Sequence, residues 1–279
     1  MMFCELKIMN FTVCMSVYKN DKPADFLVEV RSIIHQTVKP SEIIMVIDGP
    51  IPYELEEAVS SIEAEYEHMK LMRFEENRGH AAARQAGVDN AICDLVAVMD
   101  SDDIALPDRF EKQLAFLAAN EDVDIVGGQI DEFIGEVDNV VGRREVPCSD
   151  EDIKAYLKSR CPMNLMTILA RKSSIQRVGG YMDWFCEEDY YLWIRMALAG
   201  CKFANLPDTL VNVRVGEAMY QRRGGWRYFK SEASLQRYMW KHDVIGLGRY
   251  LYNVAIRFAV QVAMPNSLRG WVFRTFARK

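Results

Sequence analysis

The sequence has no Cys-x-x-C pair, no histidines at metal-ligand spacing among its four, and no uncharged apolar run of the roughly 18 residues that a membrane-spanning helix needs. Seven cysteines are an odd number, and Cys14 and Cys93 lie among apolar neighbours. This excludes a disulfide framework or a zinc ribbon and reads as reduced, buried thiols of a cytosolic protein. The N-terminus has no basic segment followed by an apolar stretch and a small-residue cleavage site, so no signal peptide is expected. Residues 16–21 (SVYKND) contain no glycine. That removes the G-x-G-x-x-G turn of a dinucleotide-binding dehydrogenase and the Gly-rich, Lys-containing phosphate loop of a nucleotidyltransferase. No Gly-, Ser- or Pro-rich linker and no internal repeat divides the chain.

What is present is an ordinary globular composition: 279 residues, 50% hydrophobic and 27% charged. Intrinsic disorder is excluded on that balance. The net charge of −6 argues against a nucleic-acid coat, but it averages two unlike parts. Residues 222–279 hold twelve Lys/Arg and two acids, or +10, while the remaining 22 basic and 38 acidic residues leave −16. An acidic body with a basic tail calls for a physical reason.

Short apolar runs alternate with helical patterns along the body. FTVCMSVY (11–18), IIMVID (43–48), KLMRFEE (70–76) and DLVAVMD (94–100) read as strands. Residues 24–37, 54–67, 79–91 and 108–120 read as helices. Continuous apolar strands between helices predict a parallel sheet covered on both faces. Further along, DIVGGQIDEF (124–133) and MNLMTILAR (163–171) are expected strands, 135–150 a loop and 151–160 a helix. Residues 188–199 are an expected helix, and 203–215 closing strands. The expected organisation is one α/β domain to about residue 215 with a helical tail.

Three acidic elements carry candidate chemistry. Asp100-Ser101-Asp102-Asp103 follows a buried strand, at the sheet edge where ligands bind in open parallel sheets. Carboxylates so close repel one another. A Mg²⁺ or Mn²⁺ ion bringing substrate phosphates satisfies them, since such ions take one or two carboxylates plus phosphate oxygens. The bland reading is a solvated turn ahead of the next helix. Asp48 ends the second strand before Gly49-Pro50, either as a turn residue or as an acceptor for a base or ribose. Glu187-Glu188-Asp189 opens a helix, where acids suit the helix dipole. Trp184, Phe185, Tyr190 and Trp193 are the expected aromatic surround that would desolvate a carboxylate there and make it a general base.

These pieces, in this order, resemble family 2 glycosyltransferases of the GT-A fold. The matching stretches are FTVCMSVYKN, IIMVIDG, ENRGHAAARQAG, VAVMDSDDIALPDR and GGYMDWFCEEDYYLWIR, over about residues 9–215. Within the family the sequence is similar to bacterial exopolysaccharide and O-antigen biosynthesis enzymes of the amylovoran type, a likeness that QRRGGWRYFKSE (221–232) supports. The resemblance implies a Rossmann-like, mainly parallel central sheet flanked by helices. It assigns residues 1–105 to a nucleotide-sugar half, 106–215 to an acceptor half and 216–279 to a basic, aromatic tail. Ser16, Val17 and Tyr18 would line the base pocket, and Asp48 would contact uracil or ribose. Arg84 and Ser101 would join the nucleotide site, with Gln85 standing where the family has Asn. Asp100 would hold the ribose or share the metal with Asp102, and Asp103 would orient the loop. Asp189 would be the base, with Glu188 as close alternative. Arg222 and Arg223 would reach the diphosphate or stay solvated.

The implied reaction moves a sugar from a nucleotide-sugar donor, a UDP-sugar in this family, to a saccharide acceptor carried on a polyprenyl diphosphate. The anomeric centre would be inverted. Gln221 to Trp226 has the ingredients of the processive Gln-x-x-Arg-Trp motif without its spacing, so a single addition is expected. A non-catalytic nucleotide- or carbohydrate-binding protein of the same fold is the competing reading, against which the intact D-x-D and Glu-Asp pairs speak. Residues 244–264 and the arginines and aromatics beyond them describe an interfacial helix on an anionic leaflet, or else a helix packed on the domain. The expected location is the cytoplasmic face of the plasma membrane.

Overall fold

The computed structural model describes residues 9–216 and 224–264. Four strands, β1 (Phe11–Val17), β2 (Glu42–Ile47), β3 (Met69–Arg73) and β4 (Leu95–Met99), pair in parallel in the order β3-β2-β1-β4. Helices α1 (Pro23–Ile34), α2 (Tyr53–Glu65) and α3 (His80–Asn90) connect them. The apolar runs are continuous because both sheet faces are buried. Val13, Met15 and Val17 pack with Phe26, Val30 and Ile33 of α1 in one core. The alternate residue Cys14 joins Ala83 and Val88 of α3 in the other. A Cβ at Gly87 would lie 2.9 Å from the Cys14 Cβ, so glycine is what lets α3 rest directly on β1.

Beyond β4 come β5 (Ile104–Ala105), α4 (Arg109–Ala119), β6 (Ile125–Phe133), β7 (Val140–Arg144) and α5 (Asp150–Leu157). They are followed by β8 (Leu169–Arg171), α6 (Lys172–Arg177), α7 (Glu188–Leu198) and β9 (Phe203–Arg214). The same sheet continues as β4-β8-β6-β9-β5, with β7 paired to β6. A helical hairpin closes the described chain: α8 (Trp226–Lys241), α9 (Leu247–Phe258) and a π-helical turn over Ala259–Ala263. Leu235 and Met239 of α8 join the core on the α3 side of the sheet.

Three local expectations change. The strand expected over 163–171 is a 3₁₀ turn, Leu165–Thr167, and only three strand residues. Asn164 Nδ2 donates to Gly128 O at 2.8 Å and Thr167 Oγ1 to Asn164 O at 2.7 Å; such side-chain bonds compete with a ladder. The loop expected over 135–150 contains β7, which closes a hairpin on β6. The closing strands are one 12-residue strand, β9. Pro207 is accommodated in β9 where the pairing steps from Gly127↔Asn205 to Gln129↔Thr209, as proline in a strand requires. Arg222, Arg223 and the tail beyond residue 264 lie outside the described residues. Among the described residues no helix is long and apolar enough to cross a membrane.

Candidate active site

In the order β3-β2-β1-β4 the connections run out in opposite directions from between β1 and β4. The crevice at the carboxyl ends of those strands is therefore where this architecture binds ligands. A cleft of about 750 Å³ opens there. Ser16, Val17, Tyr18, Asp48, Arg84, Asp100, Ser101, Asp102, Glu188 and Asp189 all line it. Residues from five separate stretches of sequence thus meet at one cleft.

Asp48 is buried and organises the loop ahead of α3. Its Oδ1 accepts from the Arg78 amide at 2.6 Å, and its Oδ2 from the Gly79 amide and Asn77 Nδ2, both at 2.9 Å. A carboxylate offers about four acceptor positions, so three loop donors leave one for a ligand. Tyr18 meets His80 edge-on, with ring centroids 6.1 Å apart. Asp21, which the sequence pattern did not single out, ties the turn after β1 to the acidic loop. It accepts from Ser101 Oγ at 2.8 Å and the Tyr18 amide at 3.0 Å, and burial raises its pKa.

Arg84 is the hinge of the site. Its Nη2 pairs with Asp100 Oδ1 at 2.8 Å and its Nη1 with Glu188 Oε1 at 2.6 Å, while the side chain is only 8% exposed. It joins the end of β4 to the start of α7. A buried cation with two carboxylates pays desolvation on all three groups, and removing one partner strands the others. Gln85, in place of the family's Asn, has a separate task. Its Oε1 accepts from the Tyr181 amide at 2.6 Å. It also fills the space at Gly180, where φ is +69° and a Cβ would lie 1.9 Å from that oxygen.

Beneath the acidic loop lies Glu29, fully buried, with neither carboxylate oxygen hydrogen-bonded. Burial, and then the charges of Asp103, Asp100, Asp102 and Asp21, push its pKa well up. Asp103 is also buried; it accepts from the Arg214 amide at 3.0 Å, and burial and its neighbouring acids raise its pKa too. For Glu29 the folded pKa exceeds the unfolded value of about 4.3. Above that pH the folded state binds the extra proton, so stability is highest at low pH and declines as pH rises toward the folded pKa. Glu29→Gln is therefore expected to gain on the wild type in melting temperature at pH 8 relative to pH 5. A gap that is the same at both pH values contradicts this.

Asp189 lies in the first turn of α7, on the cleft lining. Tyr190's amide donates to its Oδ1 at 2.7 Å, and the Cys161 thiol lies 3.8 Å from Oδ2. Burial and then the charge of Glu188 push its pKa up to about 6. The expected aromatic surround reaches the cleft only in part. Of those four residues only Tyr190 lines the cleft. Trp193 is in the core, Trp184 packs on Tyr191, and Phe185 faces solvent under Arg227. They were placed by sequence proximity, whereas α7 sends successive residues around its circumference.

The turn that leads into α7 is braced by α8. Trp184 Nε1 donates to Ser231 O at 3.2 Å, Ser231 Oγ to Phe185 O at 2.6 Å, and Tyr228 OH to Glu187 Oε1 at 2.7 Å. Cys186 holds a left-handed backbone, φ 59°, in the turn that these bonds clamp; such strain persists where the surroundings over-determine it. Glu187 is buried, and burial together with Glu232 drives its pKa well up. Glu232 also pairs with Arg257 of α9, whose Nη2 donates to Ser159 O at 2.8 Å. The part of the tail that is described therefore packs on the domain and supplies a wall of the cleft, with Tyr252, Ile256 and Val260 on its lining. Nothing local in 244–264 signalled that role.

Asp100 and Asp102 present carboxylates to the cleft, and among the described residues no three His, Cys, Asp or Glu side chains converge into a metal cage. Mg²⁺ is typically held by one or two carboxylates with the substrate's phosphates completing its shell. This donor set fits a hard divalent ion that arrives with a diphosphate.

The glycosyl transferase family 2 profile matches residues 12–181. The chain belongs to that family. It is 33% identical over 269 residues to UDP-Gal:alpha-D-GlcNAc-diphosphoundecaprenol beta-1,3-galactosyltransferase of Escherichia coli, spanning 96% of this chain and 97% of that one. It is 35% identical over 227 residues to the amylovoran biosynthesis glycosyltransferase AmsE of Erwinia amylovora, spanning 81% and 84%. Among solved structures, S. aureus TarS 1-349 in complex with UDP-GlcNAc superposes with a TM-score of 0.65 at 15% identity, over 95% of this chain and 79% of that one. That likeness establishes the GT-A fold.

Proposed function

We propose that the protein transfers one sugar from a nucleotide-sugar donor, with uridine as the nucleotide, to a saccharide carried on a lipid diphosphate, inverting the anomeric centre, in the assembly of a cell-surface polysaccharide. The observation that carries the reading is the division of labour among the acids. Arg84 occupies Asp100 and Glu188, while Asp189 on the cleft lining, in no ion pair among the described residues, has its pKa pushed up to about 6 by burial and the charge of Glu188. The Escherichia coli relative named above supports the donor and acceptor classes, and the Erwinia amylovora one supports a place in polysaccharide biosynthesis.

In this reading the donor's base and ribose lie against Ser16–Tyr18 and Asp48, and its diphosphate lies at Asp100 and Asp102. A divalent ion held there, Mg²⁺ or Mn²⁺, supplies Lewis-acid stabilisation of the leaving diphosphate. Asp189 takes the proton of the acceptor hydroxyl. The acceptor oxygen bonds to the anomeric carbon as the bond to the phosphate oxygen breaks, and that electron pair leaves with the nucleotide diphosphate. A double displacement needs two working carboxylates, and Glu188 is tied to Arg84. Residues 1–105 serve as the donor half and 106–215 as the acceptor half. Residues 216–279 bring the enzyme to the cytoplasmic face of the membrane.

The test incubates the purified protein with a panel of sugar nucleotides and Mn²⁺ and follows nucleotide diphosphate release with and without saccharide acceptors. One donor class turning over, faster with acceptor, supports the reading. Nucleotide binding without release across the panel supports the non-catalytic alternative.

A further inference from the structure

Two arginines from different parts of the chain share the cleft with the acids that open α7. Arg84 of α3 holds Glu188. The other is Arg144, the last residue of β7. Successive side chains on a strand point to opposite faces. Arg143 accordingly meets Glu145 and Asp131, at 3.6 and 3.9 Å, while Arg144 lines the cleft together with Asp189.

Cys161 connects Arg144 to the base. Arg144 Nη2 donates to the Cys161 carbonyl at 2.8 Å. The Cys161 thiol lies 3.8 Å from Asp189 Oδ2 and 3.5 Å from Met163 O. One residue therefore receives the arginine on its backbone and meets the base with its side chain. The segment is pinned from β9, where Asn205 Nδ2 donates to Pro147 O at 2.6 Å and to Pro162 O at 3.2 Å. The seat of Arg144 is thus fixed by the sheet and not by solvent-exposed contacts.

The charged and titratable groups around Asp189 are few. Glu187 and Glu188 come from its own turn, Arg84 from α3, Tyr181 from the loop ahead of α7, and Cys161 and Arg144 from the segments just described. Burial pushes the Cys161 thiol and the Tyr181 phenol up, so both are neutral, and it raises the pKa of Glu187 as well. Burial and Glu188 raise the pKa of Asp189, and Arg84 and Arg144 pull against them. Arg84 is shared between Asp100 and Glu188, whereas Arg144 pairs with no acid among the described residues. Its charge acts on Asp189 at longer range, through a buried site that water and salt screen little.

We propose that Arg144 is a positioning residue for the base: seated on the Cys161 carbonyl, it supplies the positive charge that keeps the buried Asp189 carboxylate ionised and ready for the acceptor's proton. The task of the base rests on the glycosyltransferase reading; the coupling of Arg144 to Asp189 does not.

The experiment follows Asp189 in two ways in the full-length protein. One is the pH profile of kcat/KM. The other, without substrate, is the carboxyl carbon NMR titration of aspartate-labelled protein, with the Asp189 signal identified by its loss in Asp189→Asn. Arg144→Gln and Arg144→Met both remove the charge. Each is expected to raise both midpoints by about half a pH unit, about a threefold loss of kcat/KM at pH 5 with a much smaller change near pH 8. Arg144→Lys keeps the charge and is expected to restore the midpoints. Arg160→Gln removes another charge from the cleft lining, one whose aromatic contact is with Tyr156, and is expected to move them less. Melting temperatures and UDP affinity near those of the wild type certify that the variants fold. Midpoints unmoved by the neutral variants, left displaced by Arg144→Lys, or moved as far by Arg160→Gln would each overturn the assignment. If the carboxyl titration shifts as stated while no sugar nucleotide turns over, the glycosyltransferase reading fails and the coupling stands.

Discussion

Asp189→Asn is expected to lower transfer on the order of a hundredfold or more, the usual worth of a general base, while nucleotide affinity stays near that of the wild type. Asparagine keeps the side-chain shape and can still accept from the Tyr190 amide, so α7 starts as before. What it cannot do is take a proton. The wild-type pH profile carries the same information. Asp189 works ionised, and burial with Glu188 beside it holds its pKa near 6. kcat/KM, which reports the free enzyme, is therefore expected to rise with pH through about 6 and then level off. Glu188→Gln removes the neighbouring negative charge and frees Arg84 to act on Asp189; both changes favour the ionised form, so the limb should move to lower pH. Unchanged turnover in Asp189→Asn would sink the assignment of the base.

The second large effect is expected at the acidic turn. Asp100 is held by Arg84 at 2.8 Å, so its carboxylate is already shared. Asp102 lies on the cleft lining three residues beyond the end of β4. Asp102→Ala would leave Asp100, already bonded to Arg84, as the remaining acid of the pair for a divalent ion that is held by one or two carboxylates. The expected result is loss of the Mn²⁺ dependence of UDP binding and a fall in transfer on the order of a hundredfold or more, since the ion's stabilisation of transition-state charge is worth several kcal/mol. Titrating UDP with and without Mn²⁺ checks it. The same Mn²⁺ response in variant and wild type would place the ion elsewhere.

Much of this site was legible because strand ends are legible. FTVCMSV, EIIMVI and LVAVM are strands with both faces buried, so their sequences are mostly apolar and stop where the sheet stops. Ser16 to Tyr18, Asp48 and Asp100 to Asp102 are the residues at those stops, and they meet in one cleft. Where long-range bonds set the backbone, the sequence was less informative. Asn164 and Thr167 look like members of a strand until Gly128 is seen beside them. The ion pairs of Arg84 leave no local sign, because its partners, Asp100 and Glu188, are 16 and 104 residues away. The aromatics around Glu187–Asp189 read as an active-site wall because adjacency in sequence was taken for adjacency in space. The tail's basic and apolar mixture was visible, but not that its polar side is the packed one. A helix whose partners lie about a hundred residues away, at Lys158 and Ser159, gives no local sign of which face is turned inward.

The account stands on a single working carboxylate, Asp189, delivering the acceptor oxygen directly to the anomeric carbon. The most direct measurement of that is the anomeric configuration of the transferred sugar, read by proton NMR on product made with the donor that turns over. The prediction is the configuration opposite to the donor's. Retention would contradict in-line attack by the acceptor oxygen and with it the assignment of Asp189 as the base.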